Sequence, residues 1–517
     1  MDKTAGENAG GTSRSTGSQA PLFALAVCGF SCLIGWELSA VFSPSLPLLS
    51  FCGIEEAIAV RCVSVLTLAA AFGLFAWRAD WFYVQRDRLL APALIVSLLP
   101  MAAALANSVA GGFPFAGLVV AWALLGVAQA VLSTYWCVFF SLAKSSLTMK
   151  TVISGGFGGT ILFIIANATG ELWVSMVEMG LMVVASMAIA FLLSRNLPQE
   201  SIPRASEFHR VADLSVPAFL SVASCGAVYG FMTIEVCYQG PAAALVGGAS
   251  GAFGCLLAFA WYRMGSRIDL DVGIVQRISL PLLVASLLMM PLFEGPVRIF
   301  WACVALAALA HNQMYTWFSV SIENYEFCLH PVRRFALRQT PSWIGFCVGC
   351  FLAFAAAFVL KLQGEGLYLL TGVFAIVLVV AFSVYGGDES KNKERLDSLI
   401  DAAAQTAVAV AGVDAASAED APADAAEQAG EGEGASGGES FYAGRFRTRC
   451  DEVAREFSLT PRESEVFALL AKGRNAEYIA NQLVVTPATI KSHIYHIYQK
   501  LGVNSQQRLM DLMDEDA

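Results

Sequence analysis

Residues 486–502 read TPATIKSHIYHIYQKLG. Thr486 is placed to cap the open N–H groups of a first turn, and Pro487 suits the first helical position. Gly502 stands where a helix ends in a left-handed residue. Ile490, Ile494, Ile497 and Leu501 recur at helical spacing on one face, with Lys491, Ser492 and Tyr495 on the other. The pattern predicts a short helix that lies on a small core and turns its polar face outward.

The residues upstream complete that core. In LTPRESEVFALLAKG (459–473), Thr460 and Glu463 have the spacing of a capping box, with Pro461 in the first turn. Val466, Leu469 and Leu470 supply the apolar stripe, and Gly473 stops the helix. A second helix is expected in NAEYIANQL (475–483), capped by Asn475, with Ile479, Ala480 and Leu483 turned inward. The three residues VVT then lead into Thr486. Two short helices joined by a tight turn, the second polar on its outside, follow the helix-turn-helix plan.

At this point the sequence resembles a known family. The run from Leu459 to Val503 is similar to the LuxR-type DNA-binding domain, through Leu459, Thr460, Arg462, Glu463, Glu465, Val466, Ala471, Gly473, Ile479, Ala480, Leu483, Thr489, Ile490, Lys491, His493, Lys500, Leu501, Gly502 and Val503. The resemblance implies that helix 487–501 enters the major groove of double-stranded promoter DNA. Lys491, Ser492 and Tyr495 would then read base edges and nearby phosphates, while Thr489 and Lys500 anchor the backbone. Tyr495 departs from the basic or small polar residue more usual there. It also implies a homodimer on paired half-sites. His493 and His496 form an HxxH without a cysteine partner and are read as helix pattern, so no metal is expected. Residues 441–517 hold ten Lys and Arg against ten Asp and Glu, so the domain is not basic as a whole.

Further upstream the composition changes. Between 396 and 440 stand ten acidic residues and no Lys or Arg, among Ala and Gly. This is a tether rather than a core, and residues 388–442 are assigned to it. Its reach is on the order of 40 Å. The terminal domain is placed at 443–517 and a polar N-terminal tail at 1–19.

The rest is apolar. Of 517 residues, 56% are hydrophobic and only 14% charged, and the mean hydropathy is +0.61. Soluble domains carry about 25% charged residues, so this balance predicts a polytopic membrane protein in contact with a lipid bilayer. Runs of about 20 apolar residues fall near 21–42, 57–77, 89–109, 115–141, 151–168, 172–193, 213–236, 241–262, 273–293, 298–321, 342–360 and 366–386, twelve in all. Every second connection is basic, with Arg78, Arg86 and Arg88, then Lys144 and Lys150, then Arg195, Arg204 and Arg210, then Arg263 and Arg267, then Arg333, Arg334 and Arg338. By the positive-inside rule both termini face the cytoplasm, which implies a multi-pass protein of the cytoplasmic (inner) membrane. No cleavable signal is evident, and the thirteen cysteines form no disulfide framework.

The longest internal connection divides the spans into halves at about 20–193 and 213–387. CGFSCLIGWE (28–37) is faintly similar to CGAVYGFMTIE (225–235), and LSTYW (132–136) to MYTW (314–317). The expected fold is thus all-α, a twelve-helix membrane bundle with a 6+6 pseudo-repeat plus a small helix-turn-helix domain. The bundle resembles the major facilitator superfamily in layout. Asp80, Arg86 and Arg88 echo that family's signature between spans 2 and 3, but its glycines are missing, which puts active transport in question.

An ionisable or strongly polar side chain at membrane depth costs several kcal/mol unless it faces a partner or a cavity. In the major-facilitator layout, spans 1, 4, 7 and 10 line the cavity. Those spans hold Trp36, Glu37, Gln129, Tyr135, Tyr229, Glu235, His311, Asn312, Gln313 and Trp317, the candidate contacts for a small, partly polar effector. No phosphate loop, metal cluster or nucleophile elbow is present, so neither an enzyme activity nor a cofactor is expected. LuxR-type regulators with a twelve-span, transporter-like front exist, and this sequence resembles that group over its full length. The resemblance implies a one-component membrane regulator, with a transporter carrying a regulatory DNA-binding domain as the alternative.

Overall fold

The computed structural model describes residues 19–42, 54–110, 114–143, 145–168, 172–197, 203–205, 208, 215–265, 272–326, 329–362, 365–384, 450, 453–457, 459–471, 479, 487–503, 506 and 508–509. The predicted N-terminal tail (but for Gln19), the acidic tether, the cap at Thr486 and all of helix 475–483 except Ile479 lie outside the described residues. The chain separates into two units, Met1–Ala404 and Gln405–Ala517.

The first unit is a bundle of helices: α1 Gln19–Phe42, α2 Ile54–Trp77, α3 Ala79–Ser97, α4 Leu99–Ala110, α5 Phe115–Leu142, α6 Ser145–Ala168, α7 Leu172–Arg195, α8 Val216–Tyr238, α9 Pro241–Ala249, α10 Gly251–Gly265, α11 Val272–Met289, α12 Gly295–Glu326, α13 Pro331–Phe354 and α14 Glu365–Val384. Helices stand at all twelve predicted positions. Among the described residues nine are long and apolar enough to cross a membrane. The other three positions differ for physical reasons. The third is broken at Leu98, just before Pro100, which lacks an N–H for the ladder. The ninth is short, with Pro281 inside it. The tenth, α12, is the longest of these helices, yet it carries His311, Asn312, Gln313 and Asn324, which lower its apolarity.

Close helix pairs fix the bundle. The main pairings are α1 with α6 and α8 with α13, the first and fifth helices of each half. This recurrence is the three-dimensional counterpart of the faint repeat in sequence. Both seams are made of glycine. On α8 and α13, Gly226, Gly230, Gly345 and Gly349 let the two main chains touch, and a Cβ at any of them would overlap the facing backbone. On α6, Gly155, Gly158 and Gly159 receive Phe30, Ser31 and Ile34 of α1. Small residues at an interface are the device by which helices associate without a hydrophobic drive from water. The halves meet where α2 packs on α13 and α6 on α10. Outer faces expose large apolar side chains such as Val177, Leu181 and Leu192 on α7 and Leu369, Val373 and Ile376 on α14. Apolar exposure on that scale suits lipid, not water.

The second unit contains α15 Pro461–Ala471 and α16 Pro487–Leu501. Val466, Phe467, Leu470, Ile479, Ile490, Ile497, Leu501 and Leu509 form its core. Gly502 closes α16 at φ +66°. The Val503 N–H donates to the Tyr498 carbonyl at 3.1 Å and the Gly502 N–H to that of Gln499 at 3.4 Å, the two bonds of a Schellman cap. Gly502→Ala places a Cβ in the left-handed region and should destabilise this unit by about 1 kcal/mol, read as a lower midpoint in thermal unfolding of residues 405–517.

Candidate functional site

The membrane unit holds a narrow polar cleft, lined by Glu37 of α1, Leu68 and Phe72 of α2, Gln129 and Ser133 of α5, Gln313 and Trp317 of α12, and Gln339 and Trp343 of α13. Four of these five helices contribute an i,i+4 pair, the spacing that puts two side chains on one helical face. Glu37 reaches the cleft because Gly35 is turned onto α6, where a Cβ would meet the Gly159 carbonyl at 3.1 Å. Two residues further on, about 200° round the helix, is the opposite face. The Ser133 hydroxyl donates to the Glu37 carboxylate at 2.8 Å. Trp317 is buried, with Phe30 at 5.3 Å and Phe335 at 4.7 Å between ring centroids.

Of the ten residues expected at a ligand cavity, the cleft brings together Glu37, Gln129, Gln313 and Trp317. The other six stand elsewhere. Trp36 is buried, and its indole N–H has no hydrogen-bond partner among the described residues. The Tyr135 hydroxyl donates to Asp87 at 2.9 Å and lies 2.6 Å from the Ser194 hydroxyl. The Tyr229 ring packs edge-on against Phe346. Glu235 is paired with Arg298 at 2.5 Å. His311 shares a 2.9 Å hydrogen bond with Ser279. The main-chain carbonyl of Asn312 accepts from Thr316 at 3.0 Å. Ser133, Gln339 and Trp343 were not among the expected ten. Gln339 and Trp343 sit in span 11, outside the four cavity-lining spans of the layout, and only their i,i+4 spacing could have drawn attention to them.

The second site is the outer face of α16. Thr489, Lys491, Ser492 and Tyr495 are exposed, whereas Ile490 and Ile497 are fully buried beneath them. Tyr495 is 59% exposed, and its hydroxyl accepts from the Gln499 amide at 2.8 Å. Lys500 is differently placed, since its ammonium donates to the Glu463 carboxylate at 2.6 Å. Glu463 also accepts from the N–H of Thr460 at 2.8 Å and from its hydroxyl at 2.9 Å, which completes the capping box expected from sequence. One carboxylate thus joins the start of α15 to the end of α16.

Burial alone would raise the Glu463 carboxyl's pKa. Lys500 and the Thr460 N–H and hydroxyl outweigh it and hold the group at about 2, below the ordinary 4.5. A carboxyl depressed by folding stabilises the fold above its unfolded pKa and loses that contribution as pH falls through the folded one. The stabilisation should be complete above about pH 4.5 and fade between there and about pH 2. Glu463→Gln should cost on the order of 2 kcal/mol at neutral pH. Urea unfolding of the C-terminal unit should show wild type and variant converging as pH falls across that window.

Residues 457–513 match the family model for bacterial regulatory proteins of the luxR family. A Mycobacterium bovis protein whose name includes the words HTH-type transcriptional regulator is 41% identical over 71 residues, 14% of this chain and 8% of that protein. The HTH-type transcriptional regulator MalT of Yersinia pestis is 42% identical over 69 residues, 12% of this chain and 8% of that protein. The chain therefore spans less than a tenth of the length of these curated relatives. Among solved structures, a bacterial homologue of the iron transporter ferroportin, in an outward-facing state with soaked iron, superposes with a TM-score of 0.52 at 15% identity. It covers 71% of this chain and 98% of the other, a likeness of fold alone. The protein thus carries a LuxR-type helix-turn-helix domain at its C-terminus, behind a membrane unit with a major-facilitator-like helical fold.

Proposed function

We propose that this chain is a one-component transcriptional regulator of the cytoplasmic membrane, with both termini inside. A small molecule binds in the cleft between the helix halves, and the C-terminal domains bind paired half-sites in promoter DNA as a homodimer. The observation that carries this reading is the union, in one chain, of a helix with Lys491, Ser492 and Tyr495 on its open face and a membrane unit enclosing a polar cleft. A ligand acts by binding one packing of the halves more tightly than another, because only differential affinity moves such a balance. The chain is not assigned an enzyme activity.

Genome-wide DNA occupancy of the full-length protein, recovered from the membrane fraction, tests the proposal. Discrete promoter peaks whose height responds to a supplied small molecule support it. Absence of peaks in every condition sinks it. A second reading, a transporter that carries a regulatory domain, draws on the transporter-like helical fold. Uptake or efflux by a truncation ending near residue 390 would favour that reading.

A further inference from the structure

We propose that Cys62 and Cys347 form a redox-sensitive dithiol, closed to a disulfide by a hydroperoxide, that ties the two helix halves together. Three observations converge on this pair. The first is contact. Cys62 stands on α2 and Cys347 on α13, 285 residues apart, and the Cys347 thiol donates to the Cys62 carbonyl at 3.9 Å. The Cys62 thiol is within hydrogen-bonding reach of the thiols of both Cys347 and Cys350. Thiols that already touch across packed helices are the starting geometry for a disulfide, whereas distant cysteines cannot be bridged without backbone movement.

The second is place. The packing of α2 on α13 is one of the contacts by which the halves meet, and every described cysteine is a free thiol. Cys28 and Cys32 are also neighbours, but both stand on α1, where a bond would join nothing between the halves. The third is charge. Arg61, next to Cys62, is only 8% exposed and meets no carboxylate among the described residues; its guanidinium donates to the Cys237 thiol on α8 at 3.9 Å. A buried cation at membrane depth is costly without a partner. Positive charge beside a thiol favours the thiolate, the form that attacks an oxidant.

In the first step the Cys62 thiolate attacks one oxygen of the hydroperoxide. The O–O bond breaks, Cys62 becomes a sulfenic acid, and the other oxygen leaves as alcohol or water with the proton that Cys62 gave up. Cys347 then attacks the Cys62 sulfur. The S–S bond forms, the S–O bond breaks, and the hydroxyl leaves as water with the Cys347 proton. Two thiols have lost two electrons and two protons, and the hydroperoxide has taken both. Cys62 and Cys347 are half-buried, and thiols shielded by apolar surroundings react slowly. The pair therefore registers sustained peroxide rather than a brief pulse, and a small dithiol reverses it.

The bond stands apart from the function proposed above; only its effect on DNA occupancy rests on that reading. The test uses full-length protein in lipid nanodiscs, reduced, freed of reductant and exposed to hydrogen peroxide. Free thiols are blocked with N-ethylmaleimide, and mass spectrometry of the digest reads the peptide that joins Cys62 to Cys347. That peptide should rise at least tenfold over the untreated sample and vanish with dithiothreitol. The unfolding midpoint should rise with it, because the bond closes a long loop. Cys350→Ala should keep the link. Arg61→Gln should form it several-fold more slowly, with Arg61→Lys close to wild type. A link from Cys62 to Cys350 in its place overturns the pair, as do thiols that stay open to N-ethylmaleimide or pass to sulfinic acid unlinked. An Arg61→Gln rate equal to wild type overturns the role of the charge. In cells, peroxide should change promoter occupancy several-fold for wild type and not for Cys62→Ala. A bond that forms without changing occupancy overturns the regulatory effect and leaves the dithiol standing.

Discussion

Gly226→Val is expected to leave almost no folded membrane unit. A Cβ at Gly226 would fall on the carbonyl of Ser342, and one at Gly230 on the carbonyl of Phe346. Gly345 and Gly349 return the contact onto Ala223 and Ala227. These obstacles are main chain inside helices, so no rotamer change relieves them. The helices must move apart, and dispersion contacts are lost steeply with even a small gap. Between helices in lipid, that packing is the main attraction. Overpacking of this kind costs about 3 kcal/mol or more, a large share of a domain's net stability. The measurement is the monodisperse fraction after detergent extraction, followed by the unfolding midpoint of whatever survives.

Two built-in controls separate this seam from glycine replacement in general. At Gly73 and Gly372 nothing lies within 4 Å of the point where a Cβ would stand. Alanine at either should be neutral or stabilise by up to about 1 kcal/mol, through helix propensity. An extraction profile for Gly226→Val that matches Gly73→Ala would refute the seam. On the α1–α6 side the expected penalty is smaller for Gly155→Ala, because the obstacle there is the Phe30 side chain, with its nearest atom at 2.8 Å. A side chain can yield where a carbonyl cannot.

The seam also shows what sequence carries and what it does not. CGFSCLIGWE and CGAVYGFMTIE are weak as a repeat, yet each lies on the seam between its half's first and fifth helices, the second through its own Gly226 and Gly230, the first through Phe30, Ser31 and Ile34 set against the glycines of α6. Lengths of apolar runs placed helices correctly because they depend on local composition. Helix breaks were less legible. The stop at Ser250, between α9 and α10, falls among Gly247, Gly248 and Gly251, within a run that reads as one span. Partnering was not legible at all. Glu235 and Arg298 lie 63 residues apart, and Tyr135 and Asp87 lie 48 apart. A membrane-depth carboxylate looks the same in sequence whether another helix satisfies it or a cleft leaves it open. Glu235 is met by Arg298 and Glu37 by the Ser133 hydroxyl, partners that no local pattern marks. In the terminal domain the core and both caps were local patterns, so Ile490, Ile497 and Leu501 stood where spacing put them.

Lys491 and Lys500 sit on the same helix and should fail in opposite ways. Lys491 is exposed beside Ser492 and Tyr495, on the face away from the core. On the proposed reading Lys491→Ala would remove a contact to DNA and nothing from the fold, so unfolding should be unchanged while operator affinity falls by about 1–3 kcal/mol per half-site. The proposed homodimer would feel that loss twice. If Lys491 pairs with phosphate, the variant's salt dependence should also be shallower by about one ion. If it reads a base edge, the slope should hold while discrimination between operators relaxes. Lys500 is bound to Glu463, a carboxylate only 5% exposed. Lys500→Ala strands that charge, so its larger effect should be on unfolding, with DNA affinity falling less than for Lys491→Ala. Anisotropy titrations across a salt series, beside thermal melts of both variants, decide the matter. Equal losses of affinity with equal stability would mean that Lys500 leaves Glu463 for the duplex. The Lys500–Glu463 ion pair would then be the resting state of a residue that changes partner on binding DNA.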